Sequence, residues 1–357
     1  MQRMLPWRHF REHRRIKQLK RKGRAVNILF CSVGRRCELL KDFRATMGEE
    51  IKIVVTDNSP VAPAMEFADK AYLVPLITDP SYISIILDIC RKEDIQAVTT
   101  LIDPEIMLLA KHKEEFEALG VLVLAPYEET AKLCFNKYDM YRFLMEKNIP
   151  TIKTYGTYEE FMQAYEQGEI SFPVFVKPRT GSGSVGARKI DTPELLRQVT
   201  EQDESLIIQE LMTGKDLDAD VYVDTVSHKP VAIFSKRKLS TTIGGANKTI
   251  SFKDEKLFDF VKKVIGVMQF NGPLDMDFFY QNGQYYLSEI NPRFGGAYLH
   301  AYGAGVDFVR LIRENVEGHE NPVNIGKYEE DVVMMMYDSV VIKKKSELDA
   351  NIYDSRS

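Results

Sequence analysis

The sequence predicts an α/β domain joined to an α+β half: a small parallel sheet, then antiparallel strands and hairpins. Three observations predict it. Between residues 25 and 125, short apolar runs alternate with helical stretches of about ten to fifteen residues, the pattern of a parallel sheet covered on both faces. Beyond residue 150, strands follow one another closely, with few helices and an Asn282-Gly283 turn between two of them. The length of 357 residues, at 44% hydrophobic and 28% charged, suits two or three globular domains better than one core.

Val26–Val33 is apolar up to Gly34 and reads as a buried strand. Glu38–Met47 is helical, and Ile51–Val55 is a second strand ending near Asp57. Tyr82–Arg91 is an amphipathic helix, and Ala97–Leu101 a strand running into Asp103-Pro104-Glu105. Glu105–Leu119 is helical and stops at Gly120, a natural residue just past a helix end; Val121–Leu124 is the next strand. Ligands of such sheets sit at the carboxyl ends of the strands, here Gly34-Arg35-Arg36, Asp57-Asn58 and Asp103-Pro104-Glu105. Glu129–Lys147 reads as one long helix closed by Asn148-Ile149-Pro150. Then come strands at 174–177, 187–190, 206–211, 219–225, 230–236, 275–280 and 285–289, with helices at 194–200 and 256–268. From Lys343 the chain is polar and is expected to be a frayed tail.

Composition and charge exclude several classes. No apolar run reaches the ~18–20 residues of a membrane-spanning helix. Cys31, Cys37, Cys90 and Cys134 have no CxxC spacing and no nearby His, which argues for reduced thiols in a cytoplasmic protein and against a disulfide framework or a zinc site. The net charge of −4 hides a basic arm: residues 1–24 hold ten Lys or Arg and one acid, Glu12. Such an arm can bind nucleic acid or an anionic membrane, but a disordered, solvated extension is favoured, because the first strand begins only after it. No apolar segment follows the charges as in a secretory signal.

Three segments carry chemistry. Phe175-Val176-Lys177-Pro178 precedes Gly181-Ser182-Gly183-Ser184-Val185-Gly186, glycines spaced as in GxGxxG but followed by a strand rather than a helix. That arrangement is a flap whose backbone N–H groups can close over phosphates, with Lys177 as a mobile charge beneath; a flexible hairpin with a surface lysine accounts for it equally well. Leu274–Tyr280 and Tyr285–Arg293 flank the Asn282-Gly283 turn, and their acids lie within apolar strands, where a carboxylate needs a partner or a cation. Asp277, Glu289 and Asn291 offer only oxygens, which suits Mg²⁺ held jointly with phosphates; a solvent-facing acid on an edge hairpin is a plausible reading of Asp275 and a less plausible one of Glu289. A two-residue turn would pair Asp277 with Ser288 and put Glu289 on the far face, so a shared metal predicts an odd loop such as Asn282–Gln284. The third segment, Ile207–Asp216, is a strand running into a Gly turn with an acid beyond it.

Taken together, residues 136–300, and above all Ser288-Glu289-Ile290-Asn291-Pro292-Arg293-Phe294-Gly295-Gly296, resemble the ATP-grasp superfamily, most nearly a single module of a carbamoyl phosphate synthase large subunit. The resemblance implies a pre-ATP-grasp parallel sheet domain at 25–130, a two-lobed ATP-grasp domain with lobes at 131–212 and 213–342, and the tail at 343–357. It further implies that Lys137 and Lys177 meet the α- and β-phosphates, and that Gly181, Ser182, Gly183, Ser184 and Gly186 cover the β- and γ-phosphates. Glu210 and Leu211 would read the adenine edge and Asp216 the ribose. Asp277, Glu289 and Asn291 would ligate Mg²⁺, or Mn²⁺ in its place, and Arg293 would stabilise the transferring phosphoryl group. Arg237 and Lys248, around Gly244-Gly245, fall where relatives carry a basic substrate loop.

The implied activity is ATP-dependent activation of a small carboxylate as an acylphosphate, attacked by an amine or similar nucleophile with release of ADP and phosphate. One alternative is phosphorylation of bicarbonate or carbamate as part of a split synthase, since there is one ATP module and no glutaminase segment. Another, from a different class, is a nucleotide-dependent binding protein that uses the basic arm. A homodimer is compatible with the sequence.

Overall fold

Val26–Cys31 (β1), apolar but for Asn27, lies in the middle of a parallel sheet. The computed structural model describes residues 25–181, 186–242 and 245–356; the basic arm of residues 1–24 lies outside the described residues. β2 (Ile51–Asp57) and β3 (Lys70–Leu73) extend the sheet on one side of β1, and β4 (Ala97–Thr100) and β5 (Leu122–Val123) on the other. The chain therefore switches sides at β1, and the crevice at the carboxyl ends of β1 and β4 opens toward Arg36 and Asp103.

The second half contains two antiparallel sheets. β6 (Thr154–Tyr155), β7 (Val174–Pro178), β8 (Arg188–Ile190) and β9 (Leu206–Glu210) form the smaller, in the order β6-β9-β7-β8. β10 (Lys215–Val223), β11 (Pro230–Thr242), β12 (Gly245–Phe252), β13 (Gly272–Gln281), β14 (Gln284–Asn291) and β15 (Val333–Met335) form the larger, in the order β14-β13-β10-β11-β12-β15. A parallel sheet followed by two antiparallel lobes is the two-lobed architecture expected. One core runs through Ile28, Phe30 and Phe43 of the first domain into Val221, Phe278 and Phe308 of the second half. The other face of the parallel sheet and the small sheet each have a core of their own.

Four expectations need correction. The helix read as Glu129–Lys147 is two, Glu128–Phe135 and Lys137–Glu146. Asn136 breaks it by capping the second: its side chain accepts from the N–H groups of Tyr138 and Asp139, which outweighs the continuous helical pattern around it. The stretch 105–119 likewise divides at His112 into Asp103–Lys111 and Lys113–Ala118. The odd hairpin loop is absent: Gln281 pairs with Gln284 across a two-residue turn with φ of 53° at Asn282 and 78° at Gly283, left-handed values that Asn and Gly accept readily. Finally, the tail is not frayed through residue 354. Lys345–Asn351 is helical and Ile352–Asp354 (β16) pairs in parallel with β3. Tyr353 stacks on Tyr72 at 5.2 Å, an aromatic anchor that the polar composition of the segment conceals.

Candidate active site

The alternation of the large sheet sorts charge from core. On β10, Leu217, Ala219 and Val221 face the core while Asp216, Asp218 and Asp220 share the other face. Register places Asp277 beside Asp218 and Asp275 beside Asp220, and then Glu289 beside Asp277 and Asn291 beside Asp275. The device that aligns Glu289 is a bulge: Phe278 pairs with Leu287 and Asp277 with Glu289, so Ser288 is the extra residue. The predicted pairing is therefore present, reached through Ser288 rather than through the turn.

The oxygens converge. Asn291 Nδ2 lies 3.4 Å from Asp275 Oδ2 and 3.5 Å from Asp277 Oδ2. Asp218, Asp220 and Asp275 are buried with their carboxylates within 4.8 Å of one another. Burial, then the crowding of Asp218 and Asp277, pushes the Asp275 carboxyl well above the usual range. Burial raises Asp218 and Asp220 to about 6 against the pull of Lys236. Asp220 Oδ1 lacks a hydrogen bond, and Asp218 Oδ1 is held only by an ion pair to Lys236 at 3.1 Å. An all-oxygen set with surplus negative charge fits a hard divalent cation such as Mg²⁺, and Asp277, Glu289 and Asn291 stand at its open edge.

Cations surround this face from both lobes. Lys137 begins its helix because Asn136 caps it; its Nζ lies 3.4 Å from Glu289 Oε1 and donates to the Gly181 carbonyl at 2.5 Å. Lys177, on β7, has its pKa lowered by burial and by Lys137, with Glu289 and Asp277 opposing. Arg293 forms a two-point pair with Asp103, at 2.8 Å from Nε and 3.2 Å from the second nitrogen, and lies 3.7 Å from Asp275. Arg36 donates to the Phe294 and Gly295 carbonyls at 3.0 Å, and burial beside Arg293 lowers it to about 10. A Cβ on Gly295 would lie 2.6 Å from Asp275 Oδ1, so only glycine lets this segment lie against the acids. Asp103 and Ile106, with Gly181, Glu289 and Asn291, line a small cleft. Cys134 also lines it, its thiol held protonated by burial and then by Asp103 and Glu289.

The structure thus brings together Lys137, Lys177, Gly181, Asp277, Glu289, Asn291 and Arg293. Asp216 belongs to the same face but is ion-paired to Lys238 at 2.9 Å. Glu210 ends β9 and Leu211 begins the connector between the lobes, both half-buried. Gly186 is the last residue of the segment read as the flap, whose Ser182, Gly183 and Ser184 lie outside the described residues. Arg237 and Lys248 are not brought to the acidic face: both are exposed, and Arg237 pairs in register with Leu217 and Ile250. Lys236 and Lys238, one residue to either side of Arg237, occupy that face instead, because successive strand residues alternate. Asp275 is not a solvent-facing acid but is 9% exposed. Asp218, Asp220, Lys236 and Lys238 carried no motif; the period-two spacing of 216, 218 and 220 with 236 and 238 was the available signal.

Two family models match the chain. One, described as the N-terminal domain of PylC-like proteins, covers residues 28–124. The other, an ATP-grasp domain, covers 134–297 and so contains every candidate phosphate and metal residue above, whereas Arg36 and Asp103 lie in the range of the first. Residues 134–297 are an ATP-grasp domain. The chain is 22% identical over 254 residues to the arginine-specific carbamoyl phosphate synthase large chain of Bacillus subtilis, covering 67% of this chain and 24% of that one. It therefore spans about a quarter of the length of the synthase large chains it matches. It is 24% identical over 296 residues to D-alanine–D-alanine ligase of Francisella philomiragia, covering 75% of this chain and 98% of that one. In fold it is similar to N5-carboxyaminoimidazole synthetase of Staphylococcus aureus complexed with ADP, with a TM-score of 0.72 at 17% identity over 87% and 82% of the two chains. It is similar also to L-amino acid ligase of Bacillus licheniformis, with a TM-score of 0.60 at 19% identity over 84% and 75%. Among the described residues, no helix of this chain is long and apolar enough to cross a membrane.

His300 packs against the same face of the large sheet as the acids, on Thr249 and Phe234. It is 3% exposed, bonds Thr249 Oγ1 at 2.7 Å and packs edge-on to Phe234; burial, then Lys236, lowers its pKa to about 4. A base lowered in the folded state binds fewer protons there than when unfolded, so its contribution is present above pH 6.5 and lost as pH falls toward 4. The loss approaches about 3 kcal/mol. Asp218 and Asp220, raised to about 6, act with the opposite sign, so the expected result is a difference: the His300→Gln melting temperature falls less between pH 7 and 4.5 than that of wild type. Parallel melting curves would remove His300 from this account.

Proposed function

We propose that the chain is an ATP- and Mg²⁺-dependent ligase that activates a small-molecule carboxylate as an acylphosphate for attack by an amine, releasing ADP and phosphate. The observation that carries this reading is the meeting of Asp277, Glu289 and Asn291 with Lys137 and Lys177 across the two lobes. In the reading, Lys137 and Lys177 hold the α- and β-phosphates, Asp216 takes the ribose, Glu210 and Leu211 meet the adenine edge, and Gly181 to Gly186 close over the β- and γ-phosphates. Mg²⁺ bound by Asp277, Glu289 and Asn291, or Mn²⁺ in its place, would neutralise charge on the phosphate oxygens.

A carboxylate is a weak electrophile. Attack of its oxygen on the γ-phosphorus breaks the bond to the β-phosphate oxygen, leaves ADP and creates an acyl carbon with phosphate as leaving group. Both steps build charge on oxygen, and in this reading Arg293 meets it by electrostatic preorganisation. The cleft beside Asp103 is where the carboxylate would enter, and closure over it protects the acylphosphate from water.

Full-length coverage of a D-alanine–D-alanine ligase and the fold likeness to an L-amino acid ligase support a stand-alone enzyme joining a carboxylate to an amine. The match to one quarter of a carbamoyl phosphate synthase large chain supports a second reading, in which bicarbonate or carbamate is phosphorylated beside a partner subunit. Screening carboxylic and amino acids for stimulated ADP release tests both. An amino acid that stimulates ADP release in the presence of an amine supports the first, and stimulation by bicarbonate alone the second. Release of AMP and pyrophosphate would overturn both.

A further inference from the structure

Two carboxylates that the proposed nucleotide site needs are held by one ammonium. Lys238 Nζ lies 2.5 Å from Asp277 Oδ1 and 2.9 Å from Asp216 Oδ1. In the reading above, Asp277 is a metal ligand and Asp216 the ribose acid. Neither can serve its ligand fully while it neutralises Lys238, because the ammonium occupies its lone pairs and repels a second cation from them.

The neighbouring lysine shows why the position matters. Lys236 is fully buried between Asp218 and Asp220, a fixed internal counter-charge. Lys238 stands two residues further along β11, where its partners open to solvent: Asp216 is 40% and Asp277 24% exposed. Its own side chain is 13% exposed, so it is ordered by these two pairs and yet has an exit.

We propose that Lys238 is an exchangeable counter-ion, which neutralises Asp216 and Asp277 in the empty site and releases them together when a divalent cation and a nucleotide bind. The inference rests on the nucleotide site proposed above. Its consequence is coupling. A metal ion alone must displace the ammonium from Asp277 while Asp216 still retains it nearby; a nucleotide whose ribose engages Asp216 removes that anchor. Metal and nucleotide therefore strengthen each other's binding, and linkage makes the two enhancements equal.

The test measures binding and needs no substrate. Free Mn²⁺ is followed by electron paramagnetic resonance as it is titrated into the full chain, without and with ADP. Lys238→Met is expected to bind Mn²⁺ alone about tenfold more tightly than wild type, and the enhancement by ADP is expected to shrink by about the same factor. Lys238→Arg keeps the charge and is expected to bind Mn²⁺ alone no more tightly than wild type. A folded Lys238→Met variant with unchanged or weaker affinity for Mn²⁺ alone would overturn the proposal. Should Lys238→Met fail to fold, Lys238→Gln carries the same expectation, with an amide that keeps a donor for Asp216. Glu289→Ala separates the two levels: if it retains wild-type binding of Mn²⁺ with ADP, the nucleotide site itself is misread. If it loses that binding while Lys238→Met leaves the affinity for Mn²⁺ alone unchanged, only the role of Lys238 fails.

Discussion

Glu289→Ala is expected to lower carboxylate-dependent ADP release by at least ~10²–10³, the size of loss that follows removal of one preorganised electrostatic contact. Three roles end with the side chain. Glu289 is the register partner of Asp277, so the proposed metal-binding oxygens lose one member. It is the carboxylate 3.4 Å from Lys137, so that lysine loses its restraint. It also supports the charge on Lys177, whose burial already favours the neutral form; a neutral Lys177 no longer attracts a phosphate. The fold should survive, because Glu289 is 22% exposed and a partly solvated pair contributes only about 0–1 kcal/mol. The measurement is ADP release by a coupled assay beside a thermal melt. An unchanged melt with lost activity is the expected result; full activity would show that the oxygens at 277, 289 and 291 do not serve the reaction.

The fold was legible where burial and local signals agree. The parallel sheet announced itself because β1, β2 and β4 are apolar on both faces, and the helices between them are amphipathic. β3 and β16 were missed because each is short and its pairing is non-local: Tyr353 finds Tyr72 across nearly the whole chain. The site was legible in its sequence-contiguous part, the Glu289-Ile290-Asn291-Pro292-Arg293 run. It was not legible in the sheet's phase. Arg237 and Lys238 are indistinguishable as letters, and only the register of β11 against β10 decides which faces Asp216. The same limit hid the bulge at Ser288. A motif implies that Asp277 and Glu289 meet, but several backbone devices can bring that about. The interdomain partners Arg36 and Asp103 carried a weaker signal, since charged residues at the ends of parallel strands serve as caps as often as ligands.

Asp103→Asn is the second large expected effect, a fall in kcat of ~10–100-fold with the KM for ATP changed by less than about threefold. Asp103 touches no reacting atom in the proposed reaction; it acts by holding Arg293. One hydrogen bond at 3.2 Å and an ion contact at 2.8 Å hold the guanidinium, and both side chains are only 12–13% exposed, so the pair restrains Arg293 where water screens little. With the carboxylate replaced by an amide of the same shape, Asp275 at 3.7 Å becomes the nearest remaining carboxyl group. Arg293 would then turn toward Asp275 and away from the cleft. Arg36, lowered to about 10 by burial and by Arg293, would also lose a nearby balancing charge. Stability should fall by about 3 kcal/mol, the lower end for breaking a buried pair. A double-mutant cycle distinguishes positioning from support of the fold. If Asp103 works through Arg293, Asp103→Asn added to Arg293→Met costs no further activity beyond the ~10²–10³ of Arg293→Met alone. Additive losses would mean that Asp103 serves the cleft independently, as a contact for the substrate itself.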